Sequence, residues 1–140
     1  MNNNLIITIG REYGTGGREI GQKLALRLGV PFYDRELITR AAKKTGFDEK
    51  LFEQLDKRAT NSFLYSLTMF GSVGLNGMSL TDQLYLAQSN IIREMAEDSS
   101  CVIVGRCADH VLRDFPNKFD FFIHGSIEDR VKRVQTCGDY

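Results

Sequence analysis

Residues 5–21 read LIITIGREYGTGGREIG, and this stretch decides the fold class. Residues 5–9 form an apolar, β-branched run without polar alternation, which predicts a strand buried on both faces of a parallel sheet. A helical pattern follows the glycines and ends at Leu28, with Gly29 just beyond it as a helix terminator. Strand, glycine-rich turn and helix in direct succession predict an anion site, because backbone N–H groups converge at the positive end of the helix.

The glycine-rich loop carries the residue types that phosphate binding needs. Gly14, Gly16 and Gly17 lack the Cβ atoms that would keep a phosphate away from the backbone. Arg11 and Arg18 flank the loop and supply positive charge. The loop is therefore a candidate phosphate site.

Other interpretations of the loop stay open at this point. A dinucleotide fingerprint, GxGxxG, would need glycine where Glu19 stands. A plain surface turn without a ligand would leave the two arginines unexplained. The Walker pattern GxxxxGK[ST] is not met, since Gly17 occupies the lysine position and Arg18 and Glu19 lie where the magnesium-binding hydroxyl is expected. Arg18 or Arg11 could replace the lysine, because a guanidinium binds phosphate bidentately.

Strands alternate with helices along the rest of the chain. Further strands are predicted at residues 30–33, 100–104 and 119–124, the last two as buried strands. Asp34 is expected to cap a second helix, a long helix of about five turns precedes the third strand, and Ser126 with Asp129 forms a cap signature for the last helix. Such alternation implies right-handed crossovers and a parallel sheet flanked by helices. The expected inward-facing positions are Ile20, Leu24, Leu26 and Leu28 of the first helix, Leu37 and Ile38 of the second, and Ile127, Val131 and Val134 of the last.

Composition limits the classes of protein to consider. The chain has 140 residues, which suits a single domain over residues 1–140, and its 18 basic and 18 acidic side chains cancel. A general nucleic-acid or membrane-surface binder would show a basic excess, so neither partner is expected. Three cysteines without metal-type spacing, and no signal peptide or membrane span, predict a reduced, cytoplasmic protein. Cys107 is expected to be a small core side chain, and no residue is predicted to ligate a metal.

The middle of the chain is the least distinctive part. Residues 48–72 have a loose helical pattern, and residues 59–81 carry no charge and include the glycine-rich sequence GSVGLNGMS. The segment 48–80 is a candidate insert that covers the acceptor site or forms a homodimer contact. A partly buried helix pair with a flexible loop is an equally good interpretation.

Four segments in order resemble the cytidylate kinase-like family of P-loop proteins. They are ITIGREYGTGGREIGQKLA, VPFYDRELI, CVIVGRCADHVL and FFIHGSIEDRVKRV. The resemblance implies a three-layer P-loop NTPase-type α/β fold with an ATP site at the first loop and an acceptor site across the cleft. It also implies a lid of arginines after the last helix and a final strand. The sequence ends about where that lid should begin, so we expect a C-terminally truncated form of the fold.

The resemblance also implies roles for individual residues. Arg18, Arg106 and Arg133 are the candidate catalytic residues. Arg106 follows the third strand like the arginine of the GRD motif in CMP kinases, with Cys107 where that motif has aspartate. Several candidate residues also have a purely structural interpretation. Asp34 could be only a helix cap, and Arg106 only a solvated residue after a strand. Arg130 and Arg133 could be only part of the polar face of a helix. The candidate ATP-binding residues are Arg11, Gly14, Thr15, Gly16, Gly17, Arg18, Glu19 and Arg130, and the candidate acceptor-binding residues are Asp34, Arg35, Arg106 and Asp109.

The leading hypothesis is phosphoryl transfer from ATP, with Mg²⁺, to a small acceptor, by resemblance a pyrimidine nucleoside monophosphate. One alternative is a nucleotide- or phosphate-binding module without turnover, because the Walker lysine, the magnesium-binding hydroxyl and an acid at the end of the third strand are missing. Another is a kinase for a different small metabolite, since related folds serve many acceptors.

Overall fold

The computed structural model describes residues 3–43 and 80–137. The first stretch contains strand β1 (Ile6–Arg11), helix α1 (Gly17–Leu28), strand β2 (Phe32–Tyr33) and helix α2 (Arg35–Lys43). The second contains helix α3 (Leu80–Asp98), strand β3 (Cys101–Val104), helix α4 (Ala108–Val111), strand β4 (Lys118–Ile123) and helix α5 (Ile127–Cys137). The predicted segments 48–72, 59–81 and 48–80 lie outside the described residues, apart from residues 80 and 81.

The four strands form one sheet in the order β2-β3-β1-β4, and every neighbouring pair is parallel. In the register, Ile6 lies beside Cys101 on one side and beside Lys118 on the other. The prediction of an α/β fold with a parallel sheet flanked by helices is confirmed. Since all strands run the same way, the segments that follow β1, β2, β3 and β4 emerge at one edge of the sheet.

The chain divides into two compact units, residues 1–37 with 92–140 and residues 38–91. The first unit contains the whole sheet, and all the candidate site residues lie in it. Part of its core is a cluster between α1 and the sheet, to which Leu24 and Phe32 add partly buried side chains. The buried members of this cluster are Ile7, Ile9, Ala25, Val102 and Val104.

Helix α1 approaches the sheet through its small residues. Gly17, Gly21 and Ala25, spaced four residues apart, are its buried positions. A Cβ atom on Gly21 would lie 2.7 Å from Cγ2 of Val104, so only glycine permits this approach. The predicted apolar face was therefore largely wrong. Leu26 is 84% exposed, and Ile20 and Leu28 are also exposed, because the helix turns its glycine stripe toward the strands.

Strand β4 and helix α5 are more exposed than the sequence predicts. Within the described residues β4 is an edge strand, and Phe119, Phe121 and Phe122 are all exposed. Helix α5 buries none of its described residues, with Ile127 74% exposed. The predictions of a buried fourth strand and an inward apolar face on the last helix were therefore wrong. Apolar periodicity shows which residues share a face, but it does not show whether another element covers that face.

A polar cluster ties β4 to its neighbour. The buried hydroxyl of Thr8 donates a hydrogen bond to Oδ1 of Asp120 at 2.5 Å, and Lys118 bonds to Oδ2 of the same carboxylate. Lys118 also donates to the backbone oxygen of Asp109 at 3.1 Å. Burial raises the pKa of Asp120, but the hydrogen bonds from Lys118 and Thr8 outweigh it and leave the pKa below its ordinary value.

Candidate functional site

The loop between β1 and α1 has the backbone conformation that its glycines allow. Gly14 and Gly16 have φ values of +85° and +78°, in the left-handed region where L side chains are strained. Gly16 is also the N-cap of α1, and as a glycine it has no side chain of its own to cap the helix. The positive end of a twelve-residue helix thus begins at the loop, which suits an anion.

The loop glycines also permit close packing by arginines. A Cβ on Gly17 would lie 2.7 Å from Cβ of Arg11, and one on Gly14 would lie 2.8 Å from the backbone oxygen of Arg130. At Gly16 a Cβ would lie 2.6 Å from Cζ of Arg133, so that guanidinium rests against the loop backbone. Arginines from β1 and α5 therefore converge on the three glycines.

Glu12 attaches the start of α5 to the loop. Its backbone N–H donates to the oxygen of Ile123 at 2.9 Å, and its Oε2 accepts from the N–H of Gly125 at 3.1 Å. The same carboxylate pairs with Nη1 of Arg130 at 3.4 Å, and Nε of Arg130 donates to the oxygen of Tyr13 at 2.6 Å. Sequence reasoning missed Glu12, because no local pattern shows that residues 12 and 125 meet.

Glu19 holds a second α5 arginine. Its Oε2 lies 2.5 Å from Nη2 of Arg133, and its Oε1 lies 2.6 Å from Nζ of Lys23, one helical turn further on. Hydrogen bonds from Lys23 and Arg133 hold the pKa of Glu19 below its ordinary value. Glu19 is therefore an ionised carboxylate in the first turn of α1.

Comparison with known proteins identifies the family. The sequence profile of the cytidylate kinase-like family matches residues 6–138. The chain belongs to this family. A crystal structure of an uncharacterized protein from Eubacterium ventriosum is similar, with 30% sequence identity and a TM-score of 0.65. The match covers 98% of this chain and 64% of that one, so the chain spans less than two thirds of its neighbour's length. A comparison with curated proteins finds no match.

Arg18, the second residue of α1, pairs with a buried carboxylate. Its Nε and Nη2 lie 2.8 and 2.7 Å from Oδ2 of Asp34, directly after β2. Asp34 is only 5% exposed, and its Oδ1 accepts the backbone N–H of Leu37 at 3.1 Å. Asp34 is thus the N-cap of α2, as predicted, and it also joins that helix to the first turn of α1. Arg35, the first residue of α2, is exposed.

Arg11 reaches from the loop to the end of β3. Its Nη1 lies 2.8 Å from where a Cβ on Gly105 would be, and its Nε is buried with no hydrogen-bond partner among the described residues. A buried guanidinium nitrogen without an acceptor costs free energy, on the order of 1–3 kcal/mol. A hydrogen-bond acceptor, such as an oxygen of an anionic ligand, would therefore be favourable beside this nitrogen.

The turn after β3 is strained. Gly105, Arg106 and Cys107 all have positive φ values, of 79°, 58° and 53°. For Arg106 and Cys107 this conformation costs about 1–2 kcal/mol each, and such strain concentrates at functional sites. Cys107 is exposed, so its predicted core position was wrong. Asp109 lies two residues further on, exposed on the short helix α4.

Within residues 3–43 and 80–137, no group of three or more His, Cys, Asp or Glu side chains could hold a metal ion. The loop hydroxyl, Oγ1 of Thr15, donates to the backbone oxygen of Glu12 at 2.8 Å.

Among the described residues 3–43 and 80–137, no helix is long and apolar enough to cross a membrane.

Proposed function

We propose that this protein takes part in phosphoryl transfer from ATP to a small acceptor, by family analogy a pyrimidine nucleoside monophosphate. One observation carries the proposal: a glycine loop in left-handed conformation begins a helix and is contacted by Arg11, Arg130 and Arg133. The kinase-like family supports the reaction class. The acceptor rests on analogy alone.

The donor phosphates would bind at the loop. The first-turn N–H groups of α1 and the α5 arginines would supply positive charge, in a transfer that depends mainly on positioning and electrostatic stabilisation. Mg²⁺ would neutralise phosphate charge when bound. Phosphate oxygens and water would supply most of its ligands.

The acceptor would bind at the same edge of the sheet. Asp34 and Arg35 follow β2, and Arg106 and Asp109 follow β3, so the parallel strands bring both segments to the edge where the loop begins. Arg106 is the candidate contact to the acceptor phosphate. Its strained backbone gives it an orientation that an ordinary helical or extended residue would not have.

A coupled assay for ADP release tests the proposal. The purified chain is incubated with ATP, Mg²⁺ and CMP, UMP or dCMP, and kcat and KM are compared with those of Arg106→Ala. If Arg106 contacts the acceptor phosphate, the variant raises the acceptor's KM or lowers kcat. The exposed Arg113→Ala is the matched control and should leave both values unchanged. Equal kinetics for wild type and Arg106→Ala would remove the assigned role.

A binding module without turnover is the second candidate. The observation that favours it is the pairing of Arg18 with buried Asp34, because Arg18 was one of the two arginines, with Arg11, that could replace the missing lysine. Saturable ATP binding without ADP release for any acceptor would support this candidate. ADP release with a phosphorylated or hydroxylated metabolite other than a nucleotide would instead indicate a different kinase substrate.

A further inference from the structure

The carboxylate of Glu19 lies beside the loop and is bonded to one of the arginines that contact it. It lies in the first turn of α1, where the helix dipole favours negative charge, and it bonds to Arg133 at 2.5 Å and Lys23 at 2.6 Å. The guanidinium of Arg133 rests against the backbone of Gly16 at the same time. Glu19 thus pairs with one of the arginines, Arg133, that a phosphate at this loop would seek.

We propose that Glu19 is an internal anion that competes with ligand phosphate for Arg133. The proposal rests on the proposed function, because it assumes that the ligand phosphate binds at this loop. Binding then involves an exchange: Arg133 releases the carboxylate and bonds to phosphate oxygens, while Lys23 keeps Glu19 on the helix surface. Glu19 therefore sets how tightly the loop holds an anion.

The exposure of the pair makes the exchange easy. The side chains of Arg133 and Glu19 are 34% and 49% exposed, so water screens their attraction. If the Glu19 carboxylate is removed, Arg133 no longer has to leave an ion pair before it binds phosphate. The affinity for phosphate should then rise by roughly two- to fivefold. A phosphate dianion offers more charge and more acceptor oxygens than a carboxylate, so it should win the exchange.

The opposite role for Glu19 predicts the opposite sign. If the carboxylate positioned Arg133 for the ligand, its removal would free the guanidinium and weaken binding. The sign of the effect therefore separates competition from positioning. A third case, general repulsion between Glu19 and phosphate, would strengthen binding in the variant whether or not Arg133 is present.

The experiment uses the 140-residue chain and two probes, ATP and inorganic pyrophosphate, titrated by isothermal calorimetry at constant ionic strength. The proteins are wild type, Glu19→Gln, Arg133→Gln and the double variant. Glu94→Gln, which removes the same charge from an exposed position on α3, is the control. Because Glu19 is half exposed, its variant should fold, and circular dichroism melting verifies this.

Competition predicts that Glu19→Gln binds both probes two- to fivefold more tightly, that this gain disappears in the Arg133→Gln background, and that Glu94→Gln equals wild type. Unchanged or weaker binding by Glu19→Gln overturns the proposal while leaving the phosphate site intact. A gain that persists without Arg133 also overturns it, in favour of general repulsion. If no protein in the set binds either probe, the proposed function fails, and this proposal fails with it.

Discussion

Replacing Asp34 should remove two separate contributions to the stability of the fold. The buried carboxylate caps α2 through the N–H of Leu37 and bonds to Arg18. Losing an N-cap costs about 1 kcal/mol. Losing the ion pair costs less, about 0.5–1 kcal/mol, because the Arg18 side chain is half exposed and water screens it. Asp34→Ala should therefore lower the free energy of unfolding by about 1.5–2 kcal/mol.

Asp34→Asn separates the two contributions. Asparagine is as good an N-cap as aspartate, so this variant should lose only the ion pair and cost about 0.5–1 kcal/mol. Urea unfolding gives the free energies, and thermal melts should show shifts of about 4 °C for each kcal/mol. Arg18→Gln should cost little once Asn is present at position 34, since the two substitutions remove the same pair.

The outcome that refutes this reasoning is specific. If Asp34→Asn is as destabilising as Asp34→Ala, the charge and not the cap carries the stability. If both variants unfold like wild type, neither contact contributes measurably. Because unfolding is measured without nucleotide, the result is independent of whether Asp34 also contacts an acceptor.

Three further results are expected from the packing and the pKa values. Gly21→Ala should lower the free energy of unfolding by about 1 kcal/mol or more, because the clash with Val104 exceeds the roughly 1 kcal/mol gain in helix propensity. The control Gln22→Ala, at an exposed position, should leave stability unchanged or raise it. A Gly21→Ala variant more stable than wild type would contradict the packing. The depressed pKa of Asp120 means that its ionised form stabilises the fold fully above about pH 4, the unfolded pKa, and less as pH falls through the lower folded value. Unfolding of wild type and Asp120→Asn should therefore differ above about pH 4 and converge below it, and a difference that is constant with pH would count against the hydrogen bonds. Burial raises the pKa of the Cys101 thiol to about 11. A thiol reagent at pH 8 should therefore label the exposed Cys107 and Cys137 in the native protein, and Cys101 only after unfolding. Rapid labelling of all three thiols would refute the burial of Cys101.

Much of the fold could be predicted from the sequence because local signals decide it. The β-branched run of β1, the terminating Gly29 and the cap signature at Ser126 each depend on residues a few positions apart. The structure contains all three, including the Ser126 hydroxyl bonded to Asp129 at 2.7 Å. Strand β2 is shorter than predicted, because its ladder with β3 covers only Phe32 and Tyr33.

The errors arose where burial depends on neighbours far away in sequence. Apolar residues of α1 and α5 suggested inward faces, but α1 packs through glycines and α5 is exposed. Similarly, the candidate site could be placed at the loop from its glycines and arginines, whereas Glu12 could not be predicted. Its partners are more than 110 residues away along the chain.

A ¹H–¹⁵N NMR titration with ATP tests most directly whether the loop is a phosphate site. Glycine amides are well resolved, and the chain offers Gly14, Gly16 and Gly17 in the loop and Gly29 at the far end of α1 as an internal control. The account predicts large, saturable shifts for the three loop amides and little change at Gly29. Saturable ATP binding that leaves the loop amides unmoved, or no binding at millimolar ATP, would contradict it.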